Sequence, residues 1–212
     1  VSGRARHIAV EGPIGVGKTA FARLLGERLG ARAVLEPNDN PFLERFYADP
    51  RRQALQAQLS FLLARYQQRQ ELRQEELFAR GVVTDYVFAR DRLFAQLNLS
   101  PDELALYDKI YALLDDAVPR PDLVVYLQAR TDVLVERLRR NTEGRRVPRD
   151  YVARVNEAYA DFFFHYTDGP LLVVNTSEID FVARREDLDE LVAVIQRTRS
   201  GVHHYSPLGA RT

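Results

Sequence analysis

The chain has 212 residues, 46% of them hydrophobic and 28% charged, enough apolar material for a single α/β domain over residues 1–212. Its formal net charge is zero, which excludes a nucleic-acid groove or polybasic membrane contact built on bulk charge, so any anion site must be local. Cysteine is absent, which excludes disulfides and thiolate chemistry. No apolar run reaches membrane-spanning length, and a strand-like start at His7 leaves no room for a leader in this sequence, so the expectation is a cytoplasmic protein.

The first predicted element is a strand over 7–10. After it come Gly12, Pro13, Ile14, Gly15, Val16, Gly17, Lys18 and Thr19, and a helix begins near Lys18. A Gly-x4-Gly-Lys-Thr run between a strand and a helix is a phosphate loop: its glycines let backbone amides curl around phosphate oxygens, and the helix N-terminus adds partial positive charge. Lys18 neutralises the terminal phosphates of ATP, and the Thr19 hydroxyl is placed to hold Mg²⁺. Lys18 and Lys109 are the only lysines beside 28 arginines, which makes Lys18 harder to read as incidental.

A second strand is expected over 33–35, with Glu36 at its end fixed by Pro37. Open α/β sheets bind ligands at such strand ends, so Glu36 is a candidate base for a substrate hydroxyl; the alternative is a solvated loop acid. Helices follow over 41–48 and 51–80. In the longer one, Gln58 and Arg65 are seven residues apart on a face shared with Leu55, Phe61 and Leu62. Buried amides and guanidinium groups need partners, supplied either by a nucleobase edge, with Asp91 the candidate to receive an exocyclic amino group, or by an internal Gln-Arg-Asp network. The strand over 81–84 ends on Asp85, read as a metal-side acid or as a turn aspartate.

The later part alternates helices over 101–117, 131–140, 149–166 and 185–197 with strands over 123–127 and 171–174. The whole predicts a parallel sheet of about five strands flanked by helices, the P-loop NTPase fold. Ser100-Pro101-Asp102-Glu103 and Thr131-Asp132 supply helix starts, and Glu186 and Asp187 suit an early helical turn. The arginine-rich stretch at 139–149, broken by Gly144 and Pro148, reads as a mobile loop. Phe162, Phe163, Phe164 and Tyr166 are expected in the core, and His203-His204 at the surface, without a ligand cluster around them.

Together these residues resemble the deoxyribonucleoside kinase family, the group of deoxyadenosine, deoxyguanosine and deoxycytidine kinases. The similarity rests on Val10 to Thr19, Glu36-Pro37, Asn40 to Leu43 with Phe46-Tyr47, Gln58 to Tyr66, Thr84 to Ala95 and Asn156 to Tyr166. It implies transfer of the ATP γ-phosphoryl group to the 5′-hydroxyl of a deoxynucleoside, purine favoured and deoxycytidine possible, in a homodimer.

By that resemblance Glu36 is the base, Gln58 reads the nucleobase, and Tyr47 touches the sugar. Arg65 and Asp91 complete the base pocket, Phe94 stacks on the base, and Asp180-Phe181 lie near the adenine of ATP. Two departures stand out. The family's acid-Arg-Ser run after the third strand is Asp85-Tyr86-Val87 here, so its arginine is missing, with Arg90 and Arg92 as candidate replacements. The lid that the resemblance implies over 137–149 is two residues short, leaving Arg137 as the first choice for a charge-stabilising arginine, Arg140 and Arg145 next, and Glu143 near the sugar. The alternatives are a thymidylate-kinase-like enzyme, which would need added cations near Glu36 that Asn38-Asp39-Asn40 does not offer, and a non-catalytic nucleotide-binding protein.

Overall fold

The computed structural model describes residues 6–36, 40–75, 81–115, 120–141, 147–181 and 184–206. Six strands, β1 (Arg6–Glu11), β2 (Arg32–Val34), β3 (Gly81–Thr84), β4 (Leu123–Gln128), β5 (Leu171–Asn175) and β6 (Val202–Tyr205), form one sheet in the order β2-β3-β1-β4-β5-β6. Every neighbouring pair is parallel, so each connection must cross over the sheet. The crossovers carry α1 (Lys18–Leu29), α2 (Leu43–Ala48), α3 (Pro50–Glu75), α4 (Arg90–Asn98), α5 (Pro101–Asp115), α6 (Thr131–Asn141), α7 (Arg149–Phe164) and α8 (Arg185–Arg197).

This is the expected P-loop architecture with one more strand than expected. β6 pairs with β5 from Leu171↔Val202 to Val174↔Tyr205. Val202, His203 and His204 are exposed at this edge, so β6 has no buried apolar face to mark it in the sequence. The surface placement expected for the two histidines holds. α4 was also not expected. The predicted end of the α3 helix at Arg80 lies outside the described residues.

Alternation along the strands assigns each side chain to one face of the sheet. Ile8 and Val10 of β1 join Val125 and Leu127 of β4 in a core covered by Phe21 and Leu25 of α1, Leu134 of α6 and Leu191 of α8. Ala9 joins Val124 and Tyr126 on the opposite face, under Val155, Tyr159 and Phe163 of α7. Glu11 shares that second face, because it is two residues beyond Ala9 and pairs in register with Tyr126. An acid ending a buried strand is thereby aimed at α4 and α7.

Helix starts follow local chemistry. Glu103 accepts from the Ser100 amide and hydroxyl at 2.9 and 2.8 Å, capping α5 as a side chain reaching back does. Glu186 and Asp187 occupy the first turn of α8, where the helix dipole favours acids. Phe163 stacks on Tyr126 with ring centroids 4.3 Å apart, and Tyr166 is buried. Phe164, in contrast, is 84% exposed rather than in the core, because its neighbour Phe163 takes the inward face and one helical step turns the next side chain away.

Candidate active site

The phosphate loop joins β1 to α1 at the C-terminal edge of the sheet. A side chain at Gly12 would place its Cβ 2.3 Å from the Leu127 carbonyl oxygen, so the loop passes β4 only because that residue has none. Gly17 caps α1 in a left-handed conformation at φ 99°, without a side-chain hydrogen bond to the first amides, which leaves those amides to an anion. Pro13 and Val16 are buried, while Ile14 and Gly15 are partly covered. Lys18 Nζ donates to the carbonyls of Gly12 at 2.7 Å and Pro13 at 3.3 Å. Burial lowers the Lys18 ammonium from its ordinary value, with Arg90 adding to the effect and Glu11, Glu36 and Asp85 opposing it.

Thr19 and Asp85 meet at the mouth of this loop. Thr19 donates its hydroxyl to Asp85 Oδ2 at 2.6 Å, and the Glu36 amide donates to Asp85 Oδ1 at 2.5 Å. Hydroxyl and carboxylate oxygens are the donors a hard cation such as Mg²⁺ prefers. Among the described residues no group of three or more His, Cys, Asp or Glu could hold a metal ion, and Thr19 and Asp85 are two oxygen donors side by side.

Glu36 stands beside this pair at the wall of a cleft of about 310 Å³. Ile14 and Lys18 line its donor end; Glu36, Gln58, Phe61, Arg65, Arg90 and Phe94 line the rest. Gln58 is only 6% exposed, and among the described residues its amide has no protein partner, so it faces the cleft with its hydrogen bonds unspent. Phe94 packs edge-on to Tyr159, at 6.0 Å between ring centroids. Tyr47 lies on α2, its side chain outside what the structure describes.

Arg65 is paired with Glu36 and with Asp91, and its guanidinium lies 5.0 Å from the Phe61 ring centroid. Asp91 is buried behind Arg65 and does not line the cleft; its Oδ2 is without a hydrogen bond. Glu36 Oε1 also accepts from Arg90 Nη2 at 2.6 Å. Of the two candidates for the missing arginine, Arg90 faces the site, whereas Arg92 pairs with Asp108 at 2.9 Å on the surface. Two residues on a helix differ by about 200° in direction, so only one of them can point inward.

Sequence reasoning passed over Glu11, which is fully buried. Its carboxylate accepts from the amides of Gly12 at 3.0 Å and Val87 at 2.8 Å and from the Tyr159 hydroxyl at 3.1 Å. Arg90 Nε lies 3.2 Å from Glu11 Oε1. Burial pushes the Glu11 carboxyl up from its usual range, and Arg90, Lys18 and the two amides pull against that. The signal available in the sequence was an acid closing the apolar run before Gly12.

The arginines expected to close over the site divide. Arg137 donates to the carbonyls of Val16, Thr176 and Ile179 at 3.4, 2.6 and 3.2 Å, and to the Thr176 hydroxyl at 3.2 Å. It does not line the cleft. With its donors spent on the turn after β5, Arg137 here braces the phosphate loop. Arg140 is exposed and pairs with Glu136 at 3.0 Å. Glu143 and Arg145 lie outside the described residues. In the same turn Phe181 is buried against Phe21, at 4.9 Å between ring centroids, beneath Gly17, while Asp180 is exposed and its amide donates to Asp187 at 3.1 Å.

Residues 8–199 match the family described as Deoxynucleoside kinase. The chain belongs to the deoxynucleoside kinase family. It is similar to the deoxyguanosine kinase of Bacillus subtilis (strain 168), 29% identical over 201 residues that cover 91% of this chain and 97% of that one. It also resembles the deoxyadenosine kinase of Dictyostelium discoideum, 33% identical over 81% of this chain and 73% of the relative. The fold matches deoxyadenosine kinase from M. mycoides with bound dATP, with a TM-score of 0.76 at 23% identity over 90% and 99% of the two chains. A deoxynucleoside kinase is an ATP-dependent phosphotransferase, and here the phosphate loop meets an acid-bearing cleft of a size suited to a small molecule.

Proposed function

We propose that residues 1–212 act as one domain that transfers the γ-phosphoryl group of ATP to the 5′-hydroxyl of a purine deoxynucleoside. The observation that carries this reading is the shared cleft: Lys18, Glu36 and Gln58 line one space of about 310 Å³. Gln58 has an amide free to pair with a base edge, and Glu36 has a carboxylate between it and the phosphate loop.

In this mechanism the deoxynucleoside lies with its base against Gln58 and between Phe61 and Phe94, and Tyr47 contacts the sugar. Arg65, held by Asp91, sets the polar end of the base pocket; relatives named for deoxyguanosine and deoxyadenosine favour a purine there. Glu36 accepts the 5′-hydroxyl proton as the new O–P bond forms, while the bond from the γ-phosphorus to the bridging oxygen of ADP breaks. Lys18 and the free amides at the start of α1 stabilise the charge spread over the migrating group.

Mg²⁺, when bound, neutralises phosphate charge, and Thr19 and Asp85 are the residues that would hold it. Arg140 and Arg145 belong to a lid over 137–149 that closes on the phosphates, with Glu143 near the sugar and Arg137 at its root. Asp180 and Phe181 form the adenine side of the donor site. A homodimer in the cytoplasm is the setting we propose; no described helix is long and apolar enough to cross a membrane.

The test is to incubate the purified protein and MgATP with each deoxynucleoside and each deoxynucleoside monophosphate separately, following ADP release. Release with deoxyadenosine or deoxyguanosine and not with monophosphates is expected. Release only with a monophosphate would overturn the proposal.

A further inference from the structure

Arg90 holds Glu36, and something must hold Arg90. Two nitrogens of its guanidinium are hydrogen-bonded: Nη2 donates to Glu36 at 2.6 Å and Nη1 donates to the Tyr159 hydroxyl at 3.2 Å. Nε makes no hydrogen bond but lies 3.2 Å from Glu11 Oε1 as an ion pair. The Tyr159 hydroxyl in turn donates to Glu11 Oε2 at 3.1 Å. Glu11, Arg90 and Tyr159 therefore close a ring, with all three buried. Arg90 and Glu36 line the cleft, and Glu11 and Tyr159 do not.

Glu11 is the centre of this ring. Three neighbours donate to it, the Gly12 amide, the Val87 amide and the Tyr159 hydroxyl, and Arg90 adds a positive charge 3.2 Å away. A carboxylate, which only accepts, satisfies all of them, and a protonated acid would not. A fully buried carboxylate is costly even when paired, and an apolar side chain would often serve stability as well. The ring does more than fill space: through Gly12 it grips the first residue of the phosphate loop, through Val87 the entry to α4, and through Arg90 the acid at the acceptor.

We propose that Glu11, acting with Tyr159, is a positioning residue for phosphoryl transfer, fixing Arg90 and the start of the phosphate loop in one frame so that Arg90 holds the Glu36 carboxylate at the acceptor hydroxyl. This rests on the reading of Glu36 as the base. Glu11 and Tyr159 touch neither substrate, so their loss falls on kcat and not on affinity. A displacement of about 1 Å in the reacting groups is enough to cost on the order of a hundredfold in rate.

The experiment compares Glu36→Gln, Glu11→Gln, Tyr159→Phe, Arg90→Lys and the double variant Tyr159→Phe/Arg90→Lys, measuring kcat, both KM values and folding by circular dichroism. Expected are a loss in kcat of about 10- to 100-fold for Glu11→Gln and about three- to tenfold for Tyr159→Phe. Both KM values should stay within about threefold, and the double variant should be no slower than Arg90→Lys alone, since residues acting as one unit are not additive. Should Glu11→Gln fail to fold, Tyr159→Phe and the double variant decide, because the phenyl ring keeps its packing. Unchanged turnover in Glu36→Gln would remove the base and this proposal with it. Lost turnover in Glu36→Gln, with folded Glu11→Gln or Tyr159→Phe within twofold of the parent, or with losses that multiply in the double variant, would overturn the positioning role alone.

Discussion

The same face of β1 carries a buried polar residue at each end, and the two are treated differently. At the start, His7 Nε2 lies 3.2 Å from the Thr84 hydroxyl and 3.3 Å from Arg69 Nη1, in a closed layer. Burial, and then the charge of Arg69, pull the His7 imidazole down to about 3, so it is neutral in the fold. At the other end, Glu11 meets Arg90, and charge continues through Glu36 and Arg65 to Asp91. A neutral group suffices where the surroundings only need filling. An alternating chain of carboxylates and guanidinium groups, which desolvation makes costly, stands where one of its members, Glu36, opens on a cleft.

This contrast can be broken at either end. The largest effect belongs to the open end: Lys18→Ala should lower kcat/KM for ATP by about 10²–10³-fold, as loss of a cationic contact to the migrating group does. A steady-state ATP titration checks it, and a change below tenfold would detach Lys18 from the donor phosphates. Gln58→Ala should raise the nucleoside KM by about 10- to 100-fold and leave the ATP KM within about twofold. An unchanged nucleoside KM would mean that the amide is a spectator in the cleft.

The closed end should answer to pH instead. The folded value of His7 lies below its unfolded one, so its contribution is fully present above about pH 6.5 and is lost as pH falls towards about 3. The loss over that window is on the order of a few kcal/mol. Urea denaturation at several pH values, comparing the parent with His7→Gln, isolates it as the part of the acid sensitivity that the variant lacks. Equal acid sensitivity in the two proteins would show that His7 is not buried neutral.

Much of this molecule was legible in the sequence where spacing dictates geometry. Gly12 to Thr19 fixes a loop between a strand and a helix, and the seven-residue step from Gln58 to Arg65 fixes a common helix face. The buried strands announced themselves by apolar runs. What escaped depended on contacts between distant segments. β6 is an exposed edge strand and has no apolar signal. Glu11 looked like a spacer in the loop motif because its partners, Val87, Arg90 and Tyr159, are 76 to 148 residues away. The choice between Arg90 and Arg92 needed the phase of α4, which the sequence reading had not assigned as a helix. The resemblance put Arg137 in the lid, and the carbonyls it bonds here come from turns it does not adjoin in sequence.

The central claim is that one cleft presents base and reader to the same acceptor. Its most direct measurement is Glu36→Gln, with deoxyadenosine and deoxyguanosine binding followed by calorimetry beside turnover with MgATP. Binding within about threefold of the parent, with turnover reduced by at least about 10²-fold, is the predicted result. Retained turnover would contradict the claim.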